Sequence, residues 1–145
     1  MNESRRPTYL DIVEAEFGEA LGARPAAYSE KLTLFVAHRD RTGAPVQNVE
    51  RWVDDARALL STIGGGATSI PVRGSWLGPD GLIHEDTTLV YSYAAPSAIE
   101  GKVRELREFA LRYAAEANQG EVGVLLENND GDWFFSIPFE HGKTA

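Results

Sequence analysis

The stretch from Gly64 to Tyr93, GGGATSIPVRGSWLGPDGLIHEDTTLVYSY, constrains the fold more than any other. Two alternating runs flank Asp80-Gly81, and an Asp-Gly pair supplies the positive backbone angles that a tight two-residue turn needs. The spacing predicts a hairpin with Asp80 and Gly81 as its loop. Pro79 then faces Leu82, Trp76 faces Glu85, Gly74 faces Thr87, Val72 faces Leu89, and Ile70 faces Tyr91. These residues share one apolar face, because side chains alternate along a strand. Ser69, Pro71, Arg73 and Ser75 take the other, mostly polar face, with His84, Asp86, Thr88, Val90 and Ser92. A four-residue loop would slip the register and move Glu85 across the sheet.

Elements on either side of the hairpin follow from periodicity. Thr8 and Asp11 have capping-box spacing ahead of an amphipathic helix whose stripe is Tyr9, Ile12, Val13, Phe17 and Leu21. The connector GARPAAYSE leads to a strand over Lys31 to His38, apolar enough for a central position. A helix follows, with Val49, Trp52, Val53, Ala56, Leu59, Leu60 and Ile63 at helical spacing, and Gly64-Gly65-Gly66 stops it. Beyond the hairpin, Ser97 and Glu100 have capping-box spacing, and Ile99, Val103, Leu106, Phe109, Tyr113 and Ala117 mark one long helix. EVGVLLEN, the turn NNDGD and WFFSIPFE then read as two last strands.

The order is an N-terminal helix, then βαββαβ, then one more strand. It fits an α+β, ferredoxin-like plait, a mostly antiparallel sheet with two helices on one face. We expect one domain over residues 1–145: an N-terminal helix and connector (1–30), the plait (31–138) and a short tail (139–145). In a plait of spatial order 4-1-3-2, the ends of strands one and two meet the starts of strands three and four at one edge. That edge collects His38, Trp76, Glu85, Asn118, Gln119 and Glu121.

Charge and composition remove several classes. A net charge of −8 with no basic stripe disfavours nucleic acid and anionic membrane surfaces. No apolar run reaches membrane-span length, and the start MNESRRPTYL lacks the apolar segment of a secretory signal, so we expect a cytoplasmic protein. With no cysteine, thiolate metal sites and a cysteine nucleophile are excluded.

His38 and Glu85 are the sharpest candidate pair, expected on the helix-covered face near Trp76, where a carboxylate would orient the imidazole as a general base. A metal site from His38, His84 and Glu85 conflicts with strand alternation, and no cofactor is expected. The triple glycine follows a helix instead of preceding one, so it is a stop and not a phosphate cradle. Asn118, Gln119 and Glu121 are candidate binding residues beside a helix C-cap. Trp133-Phe134-Phe135 alternates across a strand, so both faces require cover, from the N-terminal helix or from a second subunit.

Gly65-Gly66-Ala67-Thr68, Gly74-x-Trp76 and Gly81-x-Ile83-x-Glu85, with a terminal strand pair, resemble small bacterial domain-of-unknown-function proteins with a GGAT, GxW and GxIxE hairpin. The resemblance covers roughly Lys31 to Glu127 and implies a ferredoxin-like fold without an assigned activity. Two functional classes remain open. One is a binding or accessory module, acting as a homo-oligomer or with a protein partner. The other is a small cofactor-free enzyme of isomerase or lyase type, with His38 as general base beside Glu85 and a small-molecule ligand. A pocket at the edge favours the second, and a flat surface the first.

Overall fold

The computed structural model describes residues 8–23 and 28–142. Residues 1–7, the middle of the connector (24–27) and the end of the tail (143–145) lie outside those described. The first helix, here α1, runs through Tyr9–Ile12, a π-helical Val13–Gly18 and Glu19–Leu21. Then come β1 (Glu30–Ala37), α2 (Val49–Gly64), β2 (Thr68–Gly78), β3 (Gly81–Ala94), α3 (Pro96–Glu100), α4 (Val103–Glu116), β4 (Glu121–Asn128) and β5 (Gly131–Pro138).

One sheet holds the strands in the order β2-β3-β1-β4-β5, with every neighbouring pair antiparallel. This is the ferredoxin-like plait with β5 added beside β4. Helices α2 and α4 cover one face. Leu32, Leu34 and Val36 of β1 meet Trp52, Ala56 and Leu60 of α2 and Phe109, Ala110 and Tyr113 of α4, all buried. Trp52 lies edge-on to Tyr113 at 5.3 Å and to Phe109 at 6.2 Å, so the two helices share one aromatic cluster.

The hairpin turn differs from the sequence expectation. Gly78 pairs with Gly81, so Pro79 and Asp80 form the loop, Trp76 lies opposite Ile83, and Gly74 lies opposite Glu85. A loop at Asp80-Gly81 would put Pro79, which has no N–H, into the ladder opposite Leu82; the observed turn removes it. Gly81 takes φ 128°, a conformation that favours glycine. The displacement preserves parity, so Trp76 and Glu85 still share a face.

That face is the one the helices leave open. On β3 the helix side carries Thr88, Val90, Ser92 and Ala94, all buried, while Leu89, Tyr91 and Tyr93 point away. Small residues are required beneath α2 because its last turn almost touches β3. A Cβ on Gly64 would lie 2.0 Å from Ser92 Oγ and 2.4 Å from the Tyr93 carbonyl oxygen. The triple glycine does stop the helix, with Gly65 at φ 79° donating to the Ser61 carbonyl.

Two further expectations need correction. The long helix after the hairpin is divided: Pro96 takes the first turn with Ala95 as N-cap, Ser97 caps nothing, and the chain restarts after Gly101-Lys102. Glycine is a poor helix former, which weakens the junction. The chain's own helices leave the aromatic run on β5 exposed, with Trp133, Phe134 and Phe135 at 42%, 61% and 51%, so of the two sources of cover expected from the sequence the second subunit is the one still open. The Thr8 and Asp11 capping box does form. Yet among the described side chains of α1, Tyr9, Ile12, Phe17 and Leu21 are exposed.

Candidate active site

Beyond His38, whose amide donates to the Asp86 carbonyl at 3.0 Å, the chain leaves β3, whereas β2 and β3 stay paired out to Gly78 and Gly81. The hairpin therefore overhangs the end of the sheet. Beneath the overhang is a cleft of about 1220 Å³, open to solvent, at the edge where the sequence brings strand ends together. Phe35, Ala37, Thr87 and Gly123 line it from the open face of the sheet. Trp76, Ile83 and Glu85 line it from the hairpin, and Glu121 and Phe134 from β4 and β5. A Cβ on Gly123 would sit 2.8 Å from the Phe134 ring, which packs edge-on against Phe35 at 5.5 Å, so a side chain there would displace that ring.

The end of the cleft is a loop, Arg39 to Gly43, held by hydrogen bonds. Asp40 accepts from Thr42 Oγ1 (2.6 Å), the Thr42 and Ala44 amides (2.8 and 3.1 Å) and Asn118 Nδ2 (3.2 Å). Those donors, led by the Thr42 hydroxyl, lower its carboxyl to about 2. Arg41 donates through Nε to Asn118 Oδ1 (2.8 Å), and Gln119 Nε2 donates to the Arg39 carbonyl (3.1 Å). Asn118 reaches the loop from a left-handed backbone, φ 52°, a conformation asparagine tolerates better than most residues.

Behind the cleft, the Tyr113 hydroxyl donates to the Ala37 carbonyl at 2.9 Å. Burial pushes this phenol well above its usual range, and the negative charge of Glu85 adds to the rise. Tyr113 is therefore a fixed donor and not a base at neutral pH. Glu85, half-buried, is the carboxylate close enough to be felt there.

The sequence-derived residues divide between the cleft and its support. Trp76, Glu85, Gln119 and Glu121 line it, while Asn118 braces the loop. His38 does not pair with Glu85. It follows the alternation of Leu34 and Val36 onto the helix side, where its Nε2 meets Thr88 Oγ1 at 2.8 Å. The expectation that both sit on the helix-covered face fails because Glu85 belongs to the open face, with Thr87 and Trp76. His84 lines the cleft at the hairpin tip, where the sequence reading had set it apart from the site. Among the described residues, no three His, Asp or Glu side chains are grouped to hold a metal ion.

Arg39, Asp40, Arg41 and Tyr113 escaped the sequence reading. The first three were visible only as a short charged run at a strand end, and Tyr113 only as one position in a helical stripe. Together the cleft offers two guanidinium groups, three carboxylates and a half-exposed indole within one concavity.

Among known proteins, no family and no curated protein matches the chain. Solved structures do. A phage SAM lyase in complex with S-methyl-5'-thioadenosine aligns with TM-score 0.60 at 20% identity, over 83% of this chain and 97% of that one. A phage SAM lyase in its apo state aligns with TM-score 0.58 at 21% identity, over the same shares. At this identity the likeness is one of fold, and this chain shares the fold of a small enzyme.

Proposed function

We propose that the protein is a small cofactor-free lyase acting on a sulfonium nucleoside of the S-adenosylmethionine type, and that it works as a homo-oligomer. The observation that carries the first part is the charge mosaic of the cleft. Such a substrate brings an adenine ring, a sulfonium, an ammonium and a carboxylate. Trp76 offers a flat face for the ring or the sulfonium, Glu85 and Glu121 suit the cations, and Arg39 with Arg41 suits the carboxylate. The shared fold of the phage lyase supports the same reading.

Release of S-methyl-5'-thioadenosine requires only that the sulfur–carbon bond to the amino-acid chain break. The bond's electron pair passes to sulfur, which leaves as a neutral thioether. The four-carbon fragment is completed by its own carboxylate closing onto the carbon released by sulfur, so neither water nor an oxidant is consumed. The protein's part is to hold the chain folded for that attack and to set the cationic sulfur against the Trp76 ring. Glu85 would anchor the ammonium, and Tyr113 would fix the backbone of Ala37 beneath it. His38, tied to Thr88, supports the end of β1 in place of the general-base role expected from the sequence.

Purified protein incubated with S-adenosylmethionine should release S-methyl-5'-thioadenosine, followed by liquid chromatography. Glu85→Gln and Trp76→Ala should each lower kcat/KM at least about tenfold, the loss expected for one charge-assisted contact or one aromatic contact. No product, together with no calorimetric binding of either compound, would overturn the reading.

A further inference from the structure

A sheet of five strands is about 24 Å wide at the usual strand spacing, while two helices side by side cover about 20 Å. In this plait neither edge strand has a buried residue, and β5 is the one that turns large apolar side chains toward the helix layer, where β2 carries Ser69, Pro71 and Arg73. Leu126, opposite Trp133, is in line with Leu32, and Val124, opposite Phe135, is in line with Leu34, so Trp133 and Phe135 face the helix layer. No helix lies on them sufficiently to bury them, and they remain 42% and 51% exposed. They form an apolar shelf beside α4, in the position a third helix would fill.

The same chain carries a helix without a surface. Along α1, Tyr9, Ile12, Phe17 and Leu21 are 80%, 43%, 62% and 63% exposed, although the helix is properly capped by Thr8 and Asp11. At 1.5 Å per residue α1 is about 20 Å long, close to the roughly 27 Å of an eight-residue strand such as β5. An isolated helix of this length is marginal in water, so its stability depends on docking.

We infer that α1 of one copy docks on the Trp133 and Phe135 shelf of a second copy, each copy giving its helix and receiving one. Among the described side chains both surfaces are exposed in the single chain, Tyr9, Ile12, Phe17 and Leu21 on the helix and Trp133 and Phe135 on the shelf, which is why the occupant is a second copy. Covering four large side chains removes roughly 500 Å² of helix surface, and the still-exposed parts of Trp133 and Phe135 add roughly 200 Å². A reciprocal pair therefore buries roughly 1,400 Å² in all, above the 1,200 Å² at which specific interfaces begin. The inference deepens the self-association reading and is independent of what the cleft binds.

The chain has no cysteine, so introduced thiols report cleanly. Light scattering should give an oligomer for the full chain and a monomer for Phe17→Asp/Leu21→Asp, with circular dichroism showing the plait intact, since Phe17 and Leu21 are exposed and lie outside the core cluster. Mixed single-cysteine proteins, Phe17→Cys with Phe135→Cys, should form a mixed disulfide dimer on oxidation. An oligomer that survives the double aspartate substitution overturns helix exchange while leaving self-association standing. A monomeric full chain overturns both. A Phe17→Cys/Phe135→Cys chain that closes only on itself overturns exchange in favour of the chain's own helix folding back.

Discussion

The two ends of the sheet are built on opposite terms. At one, the last turn of α2 is pressed against β3, and the Ser92 hydroxyl donates to the Gly66 carbonyl at 2.7 Å. At the other, the hairpin overhangs β1, the Arg39–Gly43 loop stands off on its own hydrogen bonds, and a cleft opens between them. Where backbone meets backbone the chain tolerates only small residues; where the turns stand apart it carries charges and aromatics. The first end holds the fold together, and the second is free to do chemistry.

The sharpest way to break this comparison is Gly64→Ala. A methyl there would lie 2.4 Å from the Tyr93 carbonyl oxygen, and backbone cannot swing aside as a side chain can. We expect a loss of about 2 to 3 kcal/mol, read by urea unfolding, because forced overpacking costs this much. Ligand binding at the far cleft should be unchanged at temperatures where the variant is folded. A neutral Gly64→Ala would mean the two ends do not differ as described.

A smaller effect is expected from Tyr113→Phe, which removes the hydroxyl on the Ala37 carbonyl at the base of the cleft. The lost buried hydrogen bond should cost about 1 to 2 kcal/mol. The wild-type phenol has its pKa raised above the ordinary 10.0 by burial. Its contribution is therefore fully present below pH 10 and is lost as pH rises toward the folded value, because the unfolded chain releases that proton first. Stability measured from neutral pH to pH 11 should fall more steeply for wild type than for Tyr113→Phe.

The contrast between the ends also explains how far the sequence could be read. Element order, the plait and the gathering of Trp76, Glu85, Gln119 and Glu121 at one edge follow from alternation and helical spacing, signals written along the chain. Which sheet face the helices cover does not. The apolar residues Ile70, Val72, Leu89 and Tyr91 look like a core face, but the covered side of β3 carries Thr88, Val90 and Ser92, and Gly64 of α2 approaches it closely at Ser92. That packing lies between distant segments, and with this face covered Glu85 lies away from His38. Pro79 was a local signal, and its missing N–H, weighed against the Asp-Gly pair, points to the observed turn.

The gentlest test concerns the cleft loop. Asp40 is half-buried, and its carboxyl is lowered from 3.8 to about 2, mainly by the Thr42 hydroxyl and then by the amides and Asn118. A depressed carboxyl supports the loop fully above pH 3.8 and loses that support as pH falls through 2. Amide signals of Thr42 and Ala44 should therefore hold steady from pH 7 to about 4 and shift together with a midpoint near 2. The core signals of Val90 and Ala110, buried far from any shifted carboxyl, should not follow them at that midpoint. Asn118→Ala, which removes one donor to Asp40 and the acceptor for Arg41, should move the midpoint upward and loosen the Arg41 amide, whose own bond is to the Asn118 carbonyl. A Thr42 signal that titrates near 3.8 in the wild type would show that the loop is not held by its carboxylate, and that the open end of the sheet lacks the internal order assigned to it.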